Sequence, residues 1–126
     1  MKIATWNIER LKHKSKLNKI IYLLDELNAD ILVLTETDER IKLANYKYCI
    51  HTPRLMEIEP NNYSETENRV TIYSNYEIID QFETYDKYTS LCLEFKAGST
   101  SLVVYGTIIG VYGNRNQNFK IDLSKQ

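Results

Sequence analysis

The feature that most constrains this chain is the pattern of residues 1–36. Lys2 to Ile8 carries Ile3, Trp6 and Ile8 among β-forming neighbours and reads as a strand. Leu17, Ile20, Ile21, Leu24 and Leu27 then recur at helical spacing with Lys and Asn between them. The helix is expected to begin near Lys14 or Ser15, and Asn28 suits a left-handed C-terminal cap. Asp30 to Leu34 is a short, nearly continuous apolar run, the pattern of a strand covered on both faces. Strand, helix and buried strand within about 35 residues make a βαβ unit with parallel strands and a right-handed crossover. Asn7, at the end of the first strand, and Glu36, at the end of the second, therefore share one edge of a sheet. In α/β sheets that edge is where ligands bind.

The remainder reads differently. Tyr46 to His51, Arg69 to Ser74, Glu77 to Phe82, Ser90 to Phe95 and Ser101 to Ile109 are short β-rich runs. Pro60-Asn61-Asn62 marks a turn in a polar stretch, and Ala97-Gly98-Ser99-Thr100 a hairpin connection. No crossover helix fits between the later strands, so they are expected to be antiparallel. The fold class is α/β: an N-terminal βαβ unit followed by mostly antiparallel strands, with residues 1–126 as a single domain. Phe119, Ile121 and Leu123 resume an apolar pattern just before the terminus, so the chain is expected to be truncated, stopping partway through a larger fold.

Composition limits the classes of function. A hydrophobic fraction of 43% and a charged fraction of 26% are those of a globular protein. No apolar run approaches the roughly 20 residues of a membrane span. The N-terminus lacks the regions of a signal peptide, which gives the cytoplasm as the expected location. A net charge of −1 is no overall electrostatic footprint for nucleic acid. The Lys12-His13-Lys14-Ser15-Lys16 cluster with Lys19 reads as the solvated start of the helix. Cys49 and Cys92 lie in strand-like sequence and read as two buried free thiols without zinc-site spacing.

Chemistry is expected where Asn7 and Glu36 meet. A carboxylate suits a hard cation such as Mg²⁺, and a neighbouring amide can hold a water or a phosphate oxygen. That pairing fits metal-assisted phosphoester hydrolysis. The residues also carry a resemblance. Thr5-Trp6-Asn7-Ile8-Glu9, the helix, and Ala29 to Glu36 resemble the opening of the endonuclease/exonuclease/phosphatase superfamily. Asn68 to Asn75 and Leu102 to Gly113 resemble its following core strands.

The resemblance implies part of a four-layer α/β sandwich and Mg²⁺-dependent phosphoester cleavage, with Mn²⁺ as a substitute cofactor. It implies a phosphate-containing substrate, nucleic acid among the candidates. Asn7 matches the family's active-site asparagine and Glu36 its metal-binding glutamate, so both are read as catalytic and Glu36 as the metal ligand. The family's later Asp-x-Asn motif and histidine-bearing end have no match here. His13 and His51 stand elsewhere, and Asp122 is too near the terminus. The chain alone is therefore expected to be a weak catalyst or none. Asp38 and Glu39 read as surface acids. Tyr112, Asn114 and Arg115 are candidates for the same cleft, Arg115 as a phosphate contact. The alternative reading is a truncated or degenerate non-enzymatic module that self-associates through an uncovered sheet face or binds a partner.

Overall fold

The computed structural model describes residues 1–12 and 14–109. His13, Tyr112, Asn114, Arg115 and Asp122 lie outside the described residues. The expected βαβ unit is present: β1 (Ile3–Asn7), α1 (Leu17–Leu27) and β2 (Ile31–Asp38), with β1 and β2 parallel. Three residues of 3₁₀ turn, Lys14–Lys16, lead into α1. Asn28 closes the helix in the left-handed conformation, its N–H donating to the Asp25 carbonyl at 3.1 Å.

β3 (Tyr48–His51) and β4 (Glu67–Ser74) complete a four-stranded sheet of order β1-β2-β4-β3. β4 is antiparallel to both of its neighbours. A second, antiparallel sheet follows in the order β5 (Ile78–Phe82), β6 (Ser90–Ala97), β7 (Thr100–Thr107). The fold is thus mixed α/β with mostly antiparallel strands, as expected. No helix among the described residues is long and apolar enough to cross a membrane.

β2 divides its side chains between two cores. Leu32 and Leu34 point to α1 and pack with Ile8, Leu11, Leu24, Ile41, Leu43 and Tyr73. Ile31 and Val33 point the other way, where Val70 and Ile72 of β4 meet Leu91, Leu93 and Phe95 of the second sheet. This two-sided burial explains why residues 31–34 read as a continuous apolar run. The sheets approach most closely at Gly106, where an added Cβ would lie 2.9 Å from Val70 Cγ1 and 3.1 Å from Val33 Cγ1. Both contacts are β-branched side chains with little χ1 freedom. Gly106→Ala is expected to cost about 1–3 kcal/mol. Urea unfolding checks this, and an unchanged midpoint would contradict the close approach.

Two expectations are corrected. Cys92 is buried but Cys49 is exposed, because β3 is short and forms the outer edge of its sheet. Asp38 is no surface acid. β2 runs two residues past Glu36, and Asp38 is fully buried beneath a bidentate contact from Arg40, Nε at 3.0 Å and Nη2 at 2.8 Å.

Candidate active site

The parallel pairing of β1 and β2 sets Asn7 opposite Thr35, one residue before Glu36. Ile8 extends the pairing by donating its N–H to the Thr35 carbonyl at 3.1 Å. Asn7 and Glu36 thus reach the same edge, Asn7 exposed and Glu36 half-buried. The Asn7 side chain turns back on its own loop, where Oδ1 accepts the Glu9 N–H at 2.9 Å. This leaves the amide NH₂ as the donor end of the group.

The backbone at this edge is strained. Glu9, Arg10 and Leu11 have φ of 52°, 59° and 55°, and Glu36 has φ of 47°. Each non-glycine residue in this region costs roughly 1–2 kcal/mol. Of the five such residues described, four belong to this edge and the fifth is the helix cap Asn28. Burial of Ile8 and Leu11 in the core under α1 helps to hold the turn. Strain held in place by surrounding packing concentrates at functional sites.

β4 supplies the rest. Its register sets Thr35 opposite Val70 and Thr37 opposite Asn68, so Glu36 faces Arg69. Arg69 Nη1 lies 3.9 Å from Glu36 Oε1, a loose pair, while its Nη2 donates to the Tyr63 hydroxyl at 2.6 Å. The Tyr63 ring also meets both guanidinium groups, Arg10 at 4.6 Å and Arg69 at 5.3 Å from the ring centre. Arg10 in turn donates from Nε to Glu67 Oε1 at 2.7 Å. A continuous line of contacts therefore joins Glu36, Arg69, Tyr63, Arg10 and Glu67. Arg69, Tyr63, Arg10 and Glu67 were not singled out from sequence. Their meeting depends on strand register and on a 15-residue connection between β3 and β4, neither of which residue types disclose.

Two carboxyl groups near this edge titrate abnormally. Burial pushes Asp38 and Glu67 up. Hydrogen bonds from Arg40 to Asp38, and from Arg10 and the Ser64 N–H to Glu67, outweigh it and hold both below their ordinary values. A lowered folded pKa means the unfolded state binds more protons in acid. Each pair thus contributes stability above about pH 4 and loses it as pH falls through the lowered folded value. Asp38→Asn is expected to flatten the acid limb of a urea-midpoint-against-pH curve. An unchanged limb would contradict this account.

The donor set bears on a metal. Among the described residues, no group of three or more His, Cys, Asp or Glu side chains is placed to hold one. Thr37, after Glu36, and Asn68, before Arg69, carry side-chain oxygens. Thr37 Oγ1 and Asn68 Oδ1 are buried on facing strands with no hydrogen-bond partner among the described residues. The carboxylate of Glu36 alone suits Mg²⁺, which keeps most of its waters. On the other flank, a groove of about 380 Å³ is lined by Trp6, Asn7, Lys16, Lys19 and Leu23 among others. Lys16 and Lys19 thus face the candidate site as well as solvent. His51 ends β3 level with Leu34 and with β4 lying between, so it is not beside Glu36.

Solved structures share this arrangement of elements. A β-hairpin deletion mutant of the β toxin of Staphylococcus aureus is 19% identical, with a TM-score of 0.59, over 90% of this chain and 52% of that one. Truncated TDP2 from Caenorhabditis elegans is 18% identical, with a TM-score of 0.63, over 98% of this chain and 54% of that one. The endonuclease domain of TRAS1, a telomere-specific non-LTR retrotransposon, is 9% identical, with a TM-score of 0.55, over 98% and 52%. The chain has the fold of these proteins. At such identities the likeness is one of fold, and the chain spans about half the length of each. No family model and no curated protein matches the sequence.

Proposed function

We propose that residues 1–126 are the N-terminal part of a divalent-metal-dependent phosphoester hydrolase of nuclease-like type. The observation that carries the reading is Glu36, held in a left-handed backbone conformation at the β1–β2 edge and facing Arg69 across the sheet. Glu36 would be the metal ligand, the cation's remaining sites being filled by water and substrate oxygen. Bound there, the cation would supply positive charge against the phosphoryl group and a more acidic water.

The chain's own residues would do the rest of the binding. The Asn7 NH₂ group donates to a phosphoryl oxygen, since its carbonyl end is taken by Glu9. Arg69, steadied by Tyr63, leaves its loose contact with Glu36 to pair with phosphate. Lys16 and Lys19 attract a polyanion, and the half-exposed Trp6 offers a flat face to a base. These features favour a polynucleotide over a small phosphoester. No histidine serves as acid or base at the described edge, so that role falls to the remainder of the whole protein.

The test is cleavage of plasmid DNA and of a generic phosphodiester by the whole protein. Cleavage is expected to stop on chelation and to return with Mg²⁺ or Mn²⁺. Failure to cleave either substrate with either metal would overturn the reading. A second reading, self-association without catalysis, is favoured by the outward face of the second sheet, where Phe82, Val103 and Tyr105 are exposed. Light scattering that gives a monomer at micromolar concentration would count against it.

A further inference from the structure

Away from the Asn7–Glu36 edge, β3 carries a sulfur and an imidazole that converge. Cys49 and His51 are two residues apart on one strand, so they project from the same face. Cys49 Sγ lies 3.6 Å from His51 Nε2. Two ligands of one tetrahedral zinc, with Zn–S near 2.3 Å and Zn–N near 2.0–2.1 Å, stand about 3.5 Å apart. Without metal, this separation is that of a thiol donating to a neutral imidazole.

The imidazole is oriented for the purpose. His51 Nδ1 is 2.7 Å from Oγ1 of the fully buried Thr71 on β4. When Nδ1 carries the proton and donates to that oxygen, the Nε2 lone pair points at the sulfur. A ring nitrogen fixed by a hydrogen bond on the far side is the usual second shell of a metal-bound histidine. With Nδ1 bonded to Thr71, Nε2 is the ring nitrogen left to a metal.

The pair opens onto a small pocket lined also by Glu39, Ile41, Lys42, Leu43 and Tyr73, at a sheet edge where Cys49 is exposed. A metal ion has a way in. Glu39 is held by Arg54 at 2.9 Å and is not offered as a third ligand.

We infer that Cys49 and His51 chelate one borderline-soft divalent ion of the zinc type, with two further positions left to water or an incoming ligand. Binding releases the thiol proton to solvent as the metal–sulfur bond forms, so charge balances without an oxidant or reductant. Because a proton leaves as the metal binds, affinity rises with pH. This site is independent of Glu36 and of any phosphoester chemistry.

Cobalt(II), a spectroscopic stand-in for zinc, is the probe. Added to the full chain, it is expected to give a thiolate-to-cobalt charge-transfer band that Zn²⁺ abolishes. Cys49→Ser and His51→Gln each remove the band, Thr71→Val weakens binding about 10–100-fold, and Glu36→Gln leaves it intact. No band, or one that survives either Cys49→Ser or His51→Gln, would overturn the site, as would its loss in Glu36→Gln. Should His51→Gln fail to fold, the wild-type chain decides. Zn²⁺ is expected to slow alkylation of Cys49 about tenfold or more, with buried Cys92 as the internal reference, and an unchanged rate would overturn the site.

Discussion

Glu36→Gln in the whole protein is expected to lower kcat/KM for phosphodiester cleavage by about 10²–10⁴-fold, the range for losing one principal catalytic contribution. That corresponds to about 3–5 kcal/mol of transition-state stabilisation. The substitution keeps the shape of the side chain and removes its charge, so it removes what Mg²⁺ binds. Stability should barely change. The contact with Arg69 is long, at 3.9 Å, and both side chains are partly exposed, so its loss costs less than about 1 kcal/mol. The strained backbone at Glu36 is common to both residues. The expected result is therefore a folded, metal-unresponsive protein with its urea midpoint nearly unmoved. A variant that cleaved as fast as the wild type would remove Glu36 from the mechanism.

The second large effect concerns the packing that holds the two sheets together. Phe95 is fully buried on β6, among Ile31, Val33, Val70, Ile72, Leu91 and Leu93. Phe95→Ala is expected to cost about 3–5 kcal/mol, the transfer free energy of the ring plus the cavity it leaves. Against a total stability of roughly 5–15 kcal/mol for a domain, this is a large fraction. Ile79, half-exposed on β5, is the control, and its replacement by Ala should stay within about 0.5 kcal/mol. Chemical denaturation of the three proteins checks both statements. Similar midpoints for Phe95→Ala and Ile79→Ala would mean that the inter-sheet core is not as described.

The sequence shows the βαβ unit because its cues are local. Leu17, Ile20, Ile21, Leu24 and Leu27 repeat with the helix period, Asn28 takes the left-handed cap, and the apolar run to Leu34 is a strand covered from both sides. The edge shared by Asn7 and Glu36 follows from topology alone. What lies around Glu36 does not. Its left-handed φ, the strand continuing to Asp38, and Arg69 across the rung arise from pairing with β4. Asp38 looks like a loop acid until β2 is extended and Arg40 folds back onto it. Cys49 looks buried until β3 is placed at the sheet's outer edge. In each case the deciding interaction is with a residue distant in sequence or with a strand order that composition does not encode.

The claim that Glu36 and its edge hold the divalent cation is tested most directly by Mn²⁺ added to the ¹⁵N-labelled chain. Mn²⁺ prefers oxygen donors, which separates this site from the Cys49–His51 pair. Paramagnetic broadening is expected to centre on the amides of Asn7, Thr35, Glu36 and Arg69, and to disappear in Glu36→Gln. Broadening that spares these residues, or that is unchanged in Glu36→Gln, would contradict the claim.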